Sequence, residues 1–238
     1  MNRLYVPTLG PTDWRRLLAD PSSQWEPKKS ALEMAVCWES ARGTPRGLPP
    51  EVAAALDTVP ELHGATLVLG LPEHKVMIEG GGHASQNDLW ALLRTGAQLV
   101  SVAVEAKAGE PLDNLVDVWL EKGNDRSRKP HRLAALQKHL GIVDINVGQL
   151  RYQLLHRTAS ALIEAERFRA TSAVMLVHSF NRTADQTSWE DYCRFAEALG
   201  GIALENRITA TNVSTCVPLF LGWITSLPAD ENRLRTAM

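Results

Sequence analysis

The sequence predicts an α/β fold: a central mixed sheet flanked by helices, with a helical layer contributed by the N-terminal portion. Three observations carry this expectation. Residues 1–60 hold helical apolar stripes and no strand-like run. From residue 65 onward, strand and helix patterns alternate. The run LVSVAVEAKA at 99–108 is apolar enough to belong in the middle of a sheet, yet it ends by placing Glu105 and Lys107 two residues apart.

Taken in order, WRRLLAD (14–20) and SALEMAVCWESA (30–41) read as helices, the second with Ser30 as its N-cap. GLPPEVAAALD (47–57) places prolines where a helix begins and alanines where it continues. TLVLGL and KVMIEG read as two strands joined by a turn at Pro72-Glu73-His74. Gly80-Gly81-Gly82 ends the second, and SQNDLWALLRTGA (85–97) carries an N-cap serine and a short helical pattern. The strand at 99–108 follows, then helices at 112–122, 132–142 and 147–170, a buried strand at 171–180, a helix at 188–201 closed by glycines, and a final strand at 217–226. No repeat or linker divides the chain, so 1–238 reads as one domain, with 1–60 its helical portion and 65–180 the core.

Composition narrows the function classes. The 238 residues are 45% hydrophobic and 22% charged, with a formal net charge of -2, so no global basicity advertises nucleic acid. Cys37, Cys193 and Cys216 form no CxxC pair, which suggests reduced thiols in a cytoplasmic protein. No apolar run approaches membrane-spanning length. GxSxG, HExxH and Cys/His clusters are absent, and no GK[ST] follows the glycine run, which excludes a P-loop.

The chemistry concentrates on the strand at 99–107. Residues alternate sides along a strand, so Leu99, Ser101, Ala103, Glu105 and Lys107 share one face and Val100, Val102, Val104 and Ala106 the other. A carboxylate beside an ammonium suits metal-dependent phosphodiester hydrolysis. Mg²⁺ favours one or two carboxylates. Asp88, at a loop–helix junction, is the expected second ligand and Glu79 a further one. The bland alternative is a strand-edge salt bridge between Lys107 and Glu105 or Glu110, with Asp88 capping a helix.

An aspartate, a variable gap and Glu-x-Lys on a strand resemble the signature of the PD-(D/E)xK nuclease superfamily. The matching residues are Asp88, Glu105 and Lys107, although Asn87 stands where that pattern has proline. The resemblance covers residues 65–180 and implies a restriction-endonuclease-like core, catalysis by Asp88, Glu105 and Lys107, Mg²⁺ or Mn²⁺ as cofactor, DNA as substrate and a possible homodimer. Relatives place a Gln or Tyr from a following helix near the site, which makes Gln153 and Tyr152 candidates for substrate contact. Arg126, Arg128 and Lys129, in a locally basic segment, are candidates for phosphate contact. His83 is expected to be exposed, and His178 and the seven tryptophans to be core. A non-catalytic nucleic-acid- or protein-binding module with the same fold is the competing expectation.

Overall fold

The computed structural model describes residues 7–123 and 127–237. It is an α/β fold built on one six-stranded mixed sheet of order β1-β2-β3-β4-β6-β5. The strands are β1 (Thr66–Val76), β2 (Ser85–Thr95), β3 (Gln98–Lys107), β4 (Ser172–Ser179), β5 (Arg207–Ala210) and β6 (Leu219–Thr225). The helices are α1 (Thr12–Arg15), α2 (Pro21–Gln24), α3 (Ser30–Ser40), α4 (Pro50–Leu56), α5 (Val116–Glu121), α6 (Lys129–Leu140), α7 (Tyr152–Phe168), α8 (Gln186–Ala198) and α9 (Glu231–Ala237). β1, β2 and β3 form an antiparallel meander. β3, β4 and β6 run parallel to one another, and β5 closes the far edge antiparallel to β6.

Two apolar cores sandwich this sheet. On one face, Leu32, Met34 and Val36 of α3, with Val52 and Leu56 of α4, pack against Leu89, Ala91 and Leu93 of β2 and Val100, Val102 and Val104 of β3. On the other, Leu154, Leu155 and Leu162 of α7 and Leu136 and Leu140 of α6 pack with Ala103, Met175, Val177 and Trp223. The alternation expected for β3 is therefore present, with one addition: both of its faces are covered. Burial on both faces is what its near-continuous apolar composition specifies.

The structure revises several boundaries. Residues 85–95 are a strand, not a helix: β2 pairs with β1 on one side and β3 on the other. Leu-Trp-Ala-Leu-Leu is too short an apolar run for periodicity to separate the two states, and ladder pairing decides it. The expected break at 72–74 is likewise absent. β1 continues through Pro72 because it is an edge strand, where a missing N–H costs no ladder bond on the open side. Glu73 takes a left-handed φ of 52° there, and the ladder also slips between Leu67 and Leu69. Ser30 is the first residue of α3 and the cap position falls on Lys29; Ser30 N–H donates to Glu110 Oε1 instead. β5 and α9 carried too few apolar residues to be expected from pattern alone.

Of the tryptophans, Trp14, Trp25, Trp38, Trp90 and Trp223 are buried, while Trp119 and Trp189 are half-buried. His178 is fully buried, between Trp38 Nε1 at 3.2 Å and Ser226 Oγ at 2.8 Å. Among the described residues, no helix is long and apolar enough to cross a membrane.

Candidate active site

The meander brings the carboxylates together. β2 and β3 pair as far as Leu89↔Val104, and one step further along this register sets Asp88 opposite Glu105. Ladder pairing stops there, and the Asp88 side chain takes over: its Oδ2 accepts the Ala106 N–H at 2.6 Å. Asp88 is thus fixed against the strand that carries Glu105 and Lys107. On the other side, Pro72↔Leu89 and His74↔Asn87 place Glu73 opposite Asp88. Three acidic residues stand abreast on three neighbouring strands.

α7 supplies the groups that cover them. Gln153, Arg157 and Ala161 recur every four residues and so lie along one stripe of the helix. Ala161 O accepts the Ser101 hydroxyl at 2.7 Å, which sets the stripe over the polar face of β3. Two turns earlier the same stripe meets Glu105. Its Oε1 accepts from Gln153 Nε2 at 2.6 Å and from Lys107 Nζ at 2.7 Å, and its Oε2 accepts from Arg157 Nε at 2.6 Å. Arg157 also approaches Asp88 Oδ1 at 3.9 Å. Behind it, Arg157 Nη1 donates to Ser85 Oγ, which bonds His156 Nδ1 at 2.8 Å.

The electrostatics follow from this geometry. Burial opposes ionisation of Glu105, but Lys107 and then Arg157 outweigh it and hold its carboxyl below the usual range. Asp88 lacks such close partners. Burial first, and then the charge of Glu105, push its carboxyl up to about 7. Glu73 is pushed up to about 8 by burial and then by Asp88, although Gln86 Nε2 donates to its Oε2 at 2.6 Å. Burial, then Arg157 and Arg132, keep His156 neutral, well below its ordinary value.

The expected residues sort clearly by position. Asp88, Glu105, Lys107 and Gln153 meet at one place. Glu79 does not join them: it lies exposed beyond the end of β1, and Glu73 takes its place among the acids. Tyr152 is buried with its hydroxyl accepting from Arg132 Nε at 2.6 Å and its ring stacked on Trp119 at 3.9 Å, so it is committed to packing between helices. Lys129 donates to the Trp119 carbonyl and sits over that ring. Arg128 is exposed beside the glycine turn, and Arg126 lies outside the described residues. His83 is exposed, as expected. Sequence reasoning gave no site role to Arg157 or Glu73, although Arg157 stood among the polar residues of the long helix. The four-residue spacing from Gln153 would have found the first; the second was hidden by reading 72–74 as a turn.

The comparisons with known proteins bear on the whole chain. A family described as a domain of unknown function, DUF6946, matches residues 7–228. The chain belongs to this family. Its match takes in all six strands and every residue of the carboxylate cluster, so the site lies wholly within the family's domain. No curated protein and no solved structure matches the chain.

A divalent cation suits part of this donor set. Asp88 and Glu105 supply the one or two carboxylates that Mg²⁺ takes from protein, although burial and the charge of Glu105 hold the Asp88 carboxyl up at about 7. Among the described residues, however, no group of three or more His, Cys, Asp and Glu side chains forms a ready-made metal cage. Lys107 and Arg157 already bond the two oxygens of Glu105, one each.

Proposed function

We propose that the chain is a metal-dependent nuclease, with Asp88, Glu105 and Lys107 as its catalytic residues and DNA as its substrate. One observation carries this reading: Asp88 and Glu105 stand on adjacent strands with the Lys107 ammonium bonded to Glu105 on the same strand face. The order of elements supports it as well. An antiparallel meander sets the two carboxylates on neighbouring strands, and a covering helix closes over them before the strand parallel to the third.

Asp88 and Glu105 would hold Mg²⁺ or Mn²⁺, which when bound acts as a Lewis acid on the phosphate and lowers the pKa of water. The chain's own groups do the rest. Lys107, held by Glu105, presents an ammonium that orients water and offsets charge developing on phosphate oxygens. Gln153 fixes the second donor position of Glu105 Oε1, so that carboxylate cannot rotate freely. Arg157 is the second buried cation at the site and matches phosphate geometry. A homodimer would give two such sites for two strands and let two basic segments line one cleft, which reconciles a net charge of -2 with a polyanion.

A second reading has its own observation. Arg157 already binds Glu105 and faces Asp88, so the cluster is partly neutralised without any metal. A nuclease-like fold that serves as a non-catalytic binding module would look like this. Calorimetric titration with Mn²⁺ separates the two. Saturable binding that is lost in Asp88→Asn and in Glu105→Gln is the outcome expected of the nuclease. No heat of binding in the intact protein would leave the module.

A further inference from the structure

The opposite face of the sheet carries a cavity, lined by residues that follow all three parallel strands. Ala108 comes directly after β3, Phe180 and Asn181 after β4, and Ala229 after β6. α3 closes its floor with Glu33 and α9 forms one wall with Leu234. The volume is about 510 Å³, within the range of ligand pockets. In open α/β sheets, the crevice beyond the carboxyl ends of parallel strands is where ligands bind, because the loops diverge there and leave backbone and side chains free to converge.

Glu33 makes this cavity more than a surface hollow. It is 1% exposed, yet its Oε1 is a buried atom without a hydrogen-bond partner. Its Oε2 accepts the Ala229 N–H at 2.7 Å, so the carboxyl is anchored with one oxygen left over. A buried carboxylate oxygen without a donor is costly, and native structures rarely keep one without cause. Burial raises the carboxyl above its usual range, even with the Ala229 and Lys28 backbone N–H groups facing it. Its apolar lining is Ala108, Phe180, Pro228 and Leu234, with Lys28 and Asn181 as further polar residues of the wall. At the rim, Glu231 pairs with Arg235, so these two charges cancel locally.

We infer that this cavity binds a small molecule with an apolar body and a protonated amine, the ammonium bonded to Glu33 Oε1. The chemistry is complementary in both parts. The apolar walls take the body, and the one unsatisfied acceptor, on an anchored carboxylate, takes a cationic donor through a charge-assisted hydrogen bond. A neutral hydroxyl would satisfy the oxygen without compensating its charge, and an anion would be repelled by it. The cavity and the nuclease cluster lie on opposite faces of β3, at its last residues: Lys107 and Ala108 are adjacent, so the ligand would sit one residue from the cluster's lysine.

The test uses the full chain with benzylamine as probe and benzyl alcohol as its uncharged counterpart, titrated near neutral pH by calorimetry. Benzylamine is expected to bind saturably, and at least about tenfold more tightly than benzyl alcohol, since a charge-assisted hydrogen bond is worth more than that factor. Glu33→Gln keeps an oxygen for the Ala229 N–H but removes the charge, and is expected to lower benzylamine affinity by about tenfold or more. Ala108→Leu crowds the cavity wall while leaving the Glu33 side chain unchanged in identity, and is expected to weaken binding of both probes, which keeps the test valid if Glu33→Gln fails to fold. No saturable binding of benzylamine, equal binding of the two probes, or unchanged binding in Ala108→Leu would overturn the inference.

Discussion

Arg157→Met removes one charge from the carboxylate cluster while keeping an apolar stem of similar reach. Arg157 Nε bonds Glu105 Oε2 at 2.6 Å with both side chains almost fully buried, and its guanidinium lies 3.9 Å from Asp88. Without it, Glu73, Asp88 and Glu105 share Lys107 alone. Breaking a buried pair by removing one partner costs about 3–5 kcal/mol, because the remaining charge stays desolvated. In a chain of this size each kcal/mol moves the melting temperature by about 2–4 °C, so the variant should melt about 6–20 °C lower in a chelating buffer. Scanning calorimetry reads this directly. The same cluster, now short of positive charge, should regain stability with Mn²⁺. Saturation at a hundredfold over Kd would return about 2.7 kcal/mol. A loss below about 1 kcal/mol, the size of a surface ion pair, would refute the claim that Arg157 neutralises a buried cluster.

Three further outcomes follow from the same geometry. The carboxyls of Asp88 and Glu73 are raised to about 7 and about 8, so the folded protein holds protons that the unfolded chain releases. Their contribution to stability is full below about pH 4 and is lost as pH rises through 7 to 8. In chelating buffer the stability advantage of the intact protein over Asp88→Asn should therefore shrink between pH 5 and 8, followed by urea midpoints; a growing advantage would contradict the assignment. Gly80→Ala should destabilise by about 2 kcal/mol or more, since a Cβ there would meet the Arg132 Cα at 2.5 Å and the backbone φ is 88°; an unchanged melting temperature would contradict the close approach. Tyr152→Phe should cost about 1–3 kcal/mol by orphaning the buried Arg132 Nε, and should leave DNA binding unaltered. A loss of DNA affinity with unchanged stability would restore Tyr152 as a substrate contact.

The central strand was legible because its pattern is redundant. Val100, Val102 and Val104 alternate with residues that become charged only at Glu105 and Lys107, and that alone decided which groups share a face. β2 was not legible. Its apolar residues also fit a helix, and the cross-strand pairs that make it a strand lie outside any local window. That misreading left Asp88 at a helix start, whereas the structure puts it directly across from Glu105. Glu73 was invisible for a related reason: Pro72 reads as a turn, and only an open sheet edge lets a strand pass through it. Gln153 and Arg157 show the opposite case. Their spacing was in plain view, but its meaning depended on which face of α7 meets β3, a fact of packing rather than of sequence.

The most direct measurement is cleavage of supercoiled plasmid DNA with Mg²⁺ or Mn²⁺, comparing the intact protein with Lys107→Met. Nicking that requires the metal and falls by about a hundredfold or more in the variant is the expected result, the usual loss when one charge-stabilising group leaves an active site. DNA left intact by the native protein with either metal, or cleavage that Lys107→Met retains in full, would contradict the nuclease assignment.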